Sequence, residues 1–162
     1  MLLTIAFTVI TFSSCKKDNS EDTLATSTIT VDIDGTATVF TTNTLALKGD
    51  VNGMEFTSIQ GTDKSGNTIS MTINGTVTAG KTYLSNAADI IDRSVLSFST
   101  LNDEDIYFND AASVQSITVT SASANRIEGT FTGKVNTAAF GNGAVKVKSF
   151  TNGKFKVAII SK

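Results

Sequence analysis

The sequence predicts an all-β fold, an antiparallel β-sandwich of about ten short strands with a closed β-barrel as the alternative. Three observations carry this. Apolar and polar residues alternate with a period of two along most of the chain after Ile29, the signature of strands with one dry and one wet face. Asp-Gly, Asn-Gly and Ser-Gly-Asn turn signals punctuate those runs. Thr and Ser are abundant, Gly numbers 12, and Pro, His and Trp are absent, a composition suited to strands and tight turns. No segment sustains a 3.6-residue period, and Asn86 to Asp92 is the one candidate for a helical turn.

The strands follow in order. Ile29, Val31 and Ile33 point one way and Thr30, Asp32 and Asp34 the other, and Asp34-Gly35 turns the chain into Thr36 to Thr41. Asn52-Gly53 opens a strand from Met54 to Thr62. Met54 and Phe56 share a face there and Ile59 falls on the opposite one, a slip that predicts a bulge near Thr57-Ser58. Ser65-Gly66-Asn67 leads into a strand with Ile69, Met71 and Ile73 inward, and Asn74-Gly75 reads as a further hairpin signal. Leu96 and Phe98 form the next apolar pair, then Ile117 and Val119. Ile127, Phe131 and Val135 share a face with Gly129 and Gly133, while Arg126, Glu128, Thr130, Thr132 and Lys134 face water. Val145 and Val147 oppose Lys146 and Lys148. Phe155, Val157 and Ile159 oppose Lys154 and Lys156. These lysines discourage edge-to-edge aggregation.

The strand-forming region, 29–162, has the length of one globular domain and can close a single core without a staple. The formal net charge of −2 argues against nucleic acid as a partner.

Ahead of that domain stands a segment of another kind. Residues 1–14 are uncharged and apolar, and Cys15, the only cysteine, ends them; Lys16, Lys17 and Asp18 follow at once. As a helix the leader spans roughly 20 Å, too short for a hydrocarbon core of roughly 30 Å but the length of a signal-peptide apolar region. No Lys or Arg precedes the apolar run, which gives the expectation that the true start codon lies upstream of Met1. Residues 15–28 are polar and small after the cysteine and read as a flexible tether, because they cannot bury enough apolar surface to offset their ordering entropy.

Phe12-Ser13-Ser14-Cys15 resembles a bacterial lipobox, with Phe12 in place of the usual Leu. The resemblance implies a lipoprotein signal peptide over 1–14, cleavage before Cys15, and lipidation of Cys15 through its thiol, often with a further acyl chain on the new amino group. Stable anchoring needs two membrane signals, which acyl chains on one residue supply. The Ser-Ser-Cys-Lys-Lys-Asp stretch is similar to the start of Bacteroidota-type outer-membrane lipoproteins. In that group a Lys followed by acidic residues resembles an export signal; Lys16 and Asp18 match, while Lys17 sits where an acid is preferred. The expected location is the outer membrane, lipid-anchored, at the cell surface in preference to the periplasmic face.

The rest of the chain resembles a group of uncharacterised small all-β lipoproteins of those bacteria. The marks are Val31-Asp32-Ile33-Asp34-Gly35, Gly80-Lys81-Thr82-Tyr83, Ile127-Glu128-Gly129-Thr130-Phe131 and Thr151-Asn152-Gly153-Lys154-Phe155. The group implies an all-β domain on a lipid anchor and supplies no catalytic residue. Asp22-Thr23-Leu24 resembles the O-glycosylation motif of the same bacteria, and Asn74-Gly75-Thr76 formally matches an N-glycosylation acceptor.

Little else points to chemistry. Without His, and with the one Cys read as lipidated, the usual nucleophile–base pairs and zinc sites cannot be assembled. Asp32 and Asp34 share a strand face beside a turn and read as solvated turn residues in preference to a glycosidase pair. Asp103, Glu104 and Asp105, with Asn109 and Asp110 across Ile106-Tyr107-Phe108, offer hard oxygen ligands of the type Ca²⁺ takes, but without EF-hand spacing. Phe140, in a glycine-rich loop, either stacks on a sugar or partner or plugs the core, and Tyr83 and Tyr107 carry the same alternatives, as core caps with the hydroxyl in water.

No catalytic, cofactor-binding or metal residue is therefore assigned. The expectation is a non-enzymatic, lipid-anchored cell-envelope protein whose β domain is a binding or structural module, held to the membrane through lipid on Cys15, with a protein or glycan partner. The alternative is a small apolar-ligand or glycan-binding lipoprotein. The apolar-ligand version takes a lipocalin-like β-barrel, which needs inward residues too small to fill it; Gly129 and Gly133 hint at that.

Overall fold

Two tight hairpins set the register at the start of the chain. In the computed structural model, which describes residues 27–102, 105–109, 112–137 and 144–160, strand β1 (Thr28–Ile33) turns into β2 (Thr36–Val51), and β2 turns into β3 (Met54–Asp63). Each turn has positive φ at both central residues, 50° and 81° at Asp34-Gly35 and 55° and 83° at Asn52-Gly53. That is the type I′ geometry whose twist matches the flanking strands, and Asp-Gly and Asn-Gly are the pairs that adopt it most easily. β4 (Thr68–Asn74), β5 (Thr82–Leu84), β6 (Ser94–Ser99), β7 (Ile106–Asn109), β8 (Ser116–Ala122), β9 (Arg126–Thr137) and β10 (Val147–Ile160) complete the strands. A 3₁₀ turn at Ile90–Asp92, capped by Asp89, falls inside the segment expected to hold a helical turn.

The all-β, mostly antiparallel class holds. The ten strands lie in a single sheet. The pairing runs β1–β2–β3–β4–β6–β7–β9–β10 and returns to β1, so the sheet closes on itself in a barrel-like circuit. β8 shares the β7 side of β9 and carries β5 on its other edge. At the C-terminal end of β10, Ile159 and Ile160 also pair in parallel with Ala46 and Leu47 of β2.

One core fills the interior. Ile29, Phe40, Ile59, Ile69, Met71, Tyr83, Leu96, Ile117, Ile127 and Phe150 are among its fully buried members. Phe98 of β6 meets Phe150 of β10 edge-on at 5.6 Å between ring centroids, although the two strands are not neighbours in the sheet. Each such side chain contributes about 1.5–3 kcal/mol through burial. The inward faces expected for β1, β4, β6, β8 and β9, and for β10 from Phe155 onward, are the buried ones. β1 begins one residue before Ile29, and Ser27 ahead of it is buried, its Oγ accepting from the Ala158 N–H at 2.9 Å.

Three expectations are corrected. The bulge near Thr57-Ser58 does not form: β3 pairs with β4 without a break from Phe56 to Thr62. Thr57, Ile59 and Gly61 face the core, and Met54 and Phe56 lie on the opposite face. Hydrophobicity misled there because the inward positions include a Thr and a Gly. The second correction concerns Val145 and Val147, which are 47% and 50% exposed, while the Lys148 side chain on the other face is about a third exposed. A register shift between Phe150 and Gly153, with Asn152 at φ 54°, reverses the alternation within β10. Downstream of it odd residues point inward; upstream, Phe150 does. Third, Asn74-Gly75 makes no two-residue hairpin. β4 ends at Asn74, its neighbours are β3 and β6, and the Gly75 N–H donates to the Glu55 carbonyl at 2.7 Å.

Candidate functional site

The closed circuit has one weakly laddered place, where β6 faces β9. Among the described residues β7 pairs with β6 only at Phe98 and Ser99. Below that point the Leu96 N–H donates to Asn109 Oδ1 at 2.8 Å and to Gln115 Oε1 at 3.2 Å. Gln115 is fully buried, and its Nε2 donates to the Lys134 carbonyl of β9 at 2.7 Å. Its backbone exchanges hydrogen bonds with Ser85, and Ser94 Oγ donates to the Tyr83 carbonyl at 3.0 Å. Side chains thus supply partners that a neighbouring backbone supplies elsewhere.

Gly133 leaves the room that Gln115 fills: a Cβ there would stand 2.5 Å from Gln115 Cγ. Gly129 is covered likewise by its cross-strand partner Phe155, whose ring would meet an added Cβ at 2.5 Å. The two glycines that hinted at a hollow barrel therefore accommodate neighbouring side chains.

The residues singled out for chemistry are dispersed. Cys15, the leader, most of the tether with Asp22-Thr23-Leu24, Asp103, Glu104, Asp110 and Phe140 lie outside the described residues. Asp105 is held by Lys146, with Nζ to Oδ2 at 2.6 Å, and accepts from the Tyr107 hydroxyl at 3.3 Å. The Lys146 hydrogen bond keeps its carboxyl below the ordinary value, and desolvation and the Asp105 charge push the Tyr107 phenol up. Asn109 is committed to β6. Among the described residues no group of three or more acidic, Cys or His side chains stands ready for a metal ion.

Asp32 and Asp34 are engaged rather than simply solvated. Asp32 Oδ2 accepts from Asn152 Nδ2 at 2.8 Å. Asp34 accepts from the Ser149 N–H and from Lys148 Nζ, each at 2.9 Å. Partial desolvation pushes the Asp34 carboxyl up, but these donors outweigh it and hold the group below its ordinary value. The Tyr83 hydroxyl is likewise not in water: it donates to the Thr76 carbonyl at 3.0 Å and accepts from the Thr78 N–H at 2.9 Å, and the ring is fully buried.

One hollow among the described residues was not singled out from the sequence. It is an open groove of about 440 Å³ between the β2–β3 hairpin and the segment after β4. Asp50 and Glu55 are cross-strand partners in it, followed by Gly49 with Phe56 and Lys48 with Thr57. Thr76 Oγ1 donates to Glu55 Oε2 at 2.7 Å, and Asp50 Oδ1 accepts from the Gly53 N–H at 3.0 Å, which steadies both carboxylates. The Phe56 ring lies over Gly49, where a Cβ would stand 2.5 Å from it. A second hollow of about 460 Å³ shares Asp50, Glu55, Gly75 and Thr76 and extends past Asn52 toward Ile91. A two-residue turn at Asn52-Gly53 already implies that Asp50 faces Glu55; what the sequence withheld was the wall after β4.

No protein-family model, curated protein or solved structure matches the chain. No described helix is long and apolar enough to cross a membrane.

Proposed function

We propose that this is a lipid-anchored protein of the cell envelope, held in the outer membrane by acyl chains on Cys15, whose β domain acts as a non-enzymatic binding or structural module. The observation that carries the reading is the order of the chain: an apolar leader, Phe12-Ser13-Ser14-Cys15, then a polar tether. The packed core supports contact through the outer surface in place of a small apolar ligand carried inside. Engagement of Asp32, Asp34 and Asp105 by structural partners supports a non-catalytic role. Cell-surface display is preferred to the periplasmic face, on Lys16 and Asp18.

Mass spectrometry of the native protein tests the anchor. The expected N-terminal peptide begins at an acylated Cys15; a bare thiol preceded by the leader overturns the proposal. Protease treatment of intact cells tests the side of the membrane, with loss of the domain expected and full protection overturning surface display.

A further inference from the structure

We propose that the tip of the β2–β3 hairpin, with the 3₁₀ turn beside it, dips into the surface of the membrane that holds the anchor, an inference that adds an orientation to the lipid-anchored reading above and rests on it. Strand directions place the tip. β10 runs antiparallel to β1 and, at Ile159 and Ile160, parallel to β2. Ser27 Oγ accepts from the Ala158 N–H, so the chain enters the barrel at the end toward which β2 runs. Past its contact with β10, β2 continues from Leu47 to Val51, an advance of about 13 Å at about 3.3 Å per residue. The hairpin thus projects beyond the barrel at the end where β1 begins. Val51 there is 56% exposed and faces Met54 across the turn. Met54 and Ile91 line one hollow. Ile90 and Ile91 are 52% and 48% exposed, and Asn74 Nδ2 holds their turn in place by donating to the Ile90 carbonyl at 3.0 Å.

Two arguments make a lipid surface the occupant. The first is the chain ahead of the barrel. About 12 residues separate Cys15 from Ser27, and a random coil of that length averages about 19 Å end to end. From Ala46, beside Ile159, to Val51 the strand advances about 17 Å. An acylated Cys15 and the hairpin tip therefore reach one plane without stretching the chain. The second argument is shape. A stable protein–protein contact buries about 800 Å² on each partner, whereas a two-stranded tip with one short turn beside it is narrow and convex. A fluid interface moulds itself to such a patch, and apolar side chains settling roughly 5–10 Å into the headgroup boundary gain there. Even a weak contact forms once a covalent lipid keeps the domain close. The surrounding charges nearly balance, Lys48, Lys81 and Arg93 against Asp50, Glu55, Asp89 and Asp92, so the contact draws on apolar burial and needs no anionic headgroup.

The test uses the mature lipoprotein, purified from its own cells and reconstituted into phosphatidylcholine vesicles with or without bromine on the acyl chains. Met54→Cys, Ile91→Cys or, at the opposite end of the barrel beside the β1–β2 turn, Thr36→Cys each carries a polarity-sensitive nitrobenzoxadiazole probe. Unfolding curves matching the native chain exclude a folding defect. Brominated lipid is expected to quench the probes at 54 and 91 and to spare the one at 36. Ile91→Asp, added to the chain labelled at 54, is expected to shift that probe toward water by about tenfold, since it forfeits burial of an isoleucine and brings a charge to the interface. No quenching at 54, equal quenching at 54 and 36, or quenching untouched by Ile91→Asp overturns the inference. So does a response at 54 that follows protein density and ignores bromine, which would put a second copy of the chain on the tip. Mass analysis of Cys15 in the same preparation separates the two levels: an acylated protein whose tip stays in water loses the tip contact alone, and an unmodified Cys15 removes the anchor and the inference with it.

Discussion

Between β1, β2, β3 and β4 the strands are joined by backbone ladders, while β6 is stitched to its surroundings by side chains, Gln115 tying it to β9, Asn109 to β7 and Ser94 to β5. The two regions reach the same end, the satisfaction of backbone polar groups, by different means. A ladder accepts almost any residue but Pro, because every residue brings the same N–H and C=O. A stitch depends on one side chain of the right length. The ladder region therefore tolerates substitution at its outer positions, and the seam is sensitive at single buried residues.

The largest expected effect is at the seam. Gln115→Ala removes one of the two acceptors of the Leu96 N–H, leaves the Lys134 carbonyl without its Nε2 donor, and empties the space above Gly133. A loss of about 3 kcal/mol is expected, combining unsatisfied buried groups with a cavity. Urea denaturation measures it; a change below about 0.5 kcal/mol would mean the seam is not held as described.

The part of β9 that is laddered to β8 and β10 has its own sensitive position. In Gly129→Ala the new Cβ would stand 2.2 Å from the Thr118 carbonyl oxygen and 2.5 Å from the Phe155 ring. Overpacking of this kind costs about 2 kcal/mol. Phe155→Leu should restore part of the loss in the double variant, and simple additivity would show that the ring is not the obstacle.

A milder pair of substitutions tests the reversal of alternation in β10. Val157→Thr places a hydroxyl in the core and is expected to cost about 1.5 kcal/mol, whereas Val147→Thr, half-exposed, is expected to change stability by less than about 0.5 kcal/mol. Equal losses at the two valines would contradict the register shift at Phe150–Gly153.

These positions also mark where the sequence is readable. Strands with uniform alternation, such as Thr68–Asn74 and Ser116–Ala122, expose their inward faces directly, and Asp34-Gly35 and Asn52-Gly53 encode their own turn geometry. Periodicity fails where parity changes inside one strand, as at Asn152, because the shift involves only a residue or two while every upstream side chain changes face. It also fails at Thr57 and Gly61, whose inward placement comes from neighbours rather than from hydrophobicity. Gln115 is illegible for a deeper reason: its role exists only once β6, β9 and the Ser85 turn are assembled around it. The groove is half legible, since the hairpin pairs Asp50 with Glu55 but the Gly75–Thr76 wall comes from the segment after β4.

The smallest expected effect lies at the end of the barrel, where Asp34 ties the β1–β2 turn to β10 through Lys148 and the Ser149 N–H. Its carboxyl is held below the ordinary 3.8 in the folded chain. Ionised Asp34 therefore favours the native state. Its contribution is present in full above the unfolded value and is lost as pH falls through the lower folded value. The side chain is 43% exposed, so solvent screens the pair, and the contribution is expected to be at most about 0.5 kcal/mol. Urea midpoints of the native chain and Asp34→Asn, measured from pH 6 down to about pH 2, should converge as the carboxylate protonates. A gap that widens on acidification would reverse the sign and remove Lys148 and Ser149 as the groups that stabilise this turn.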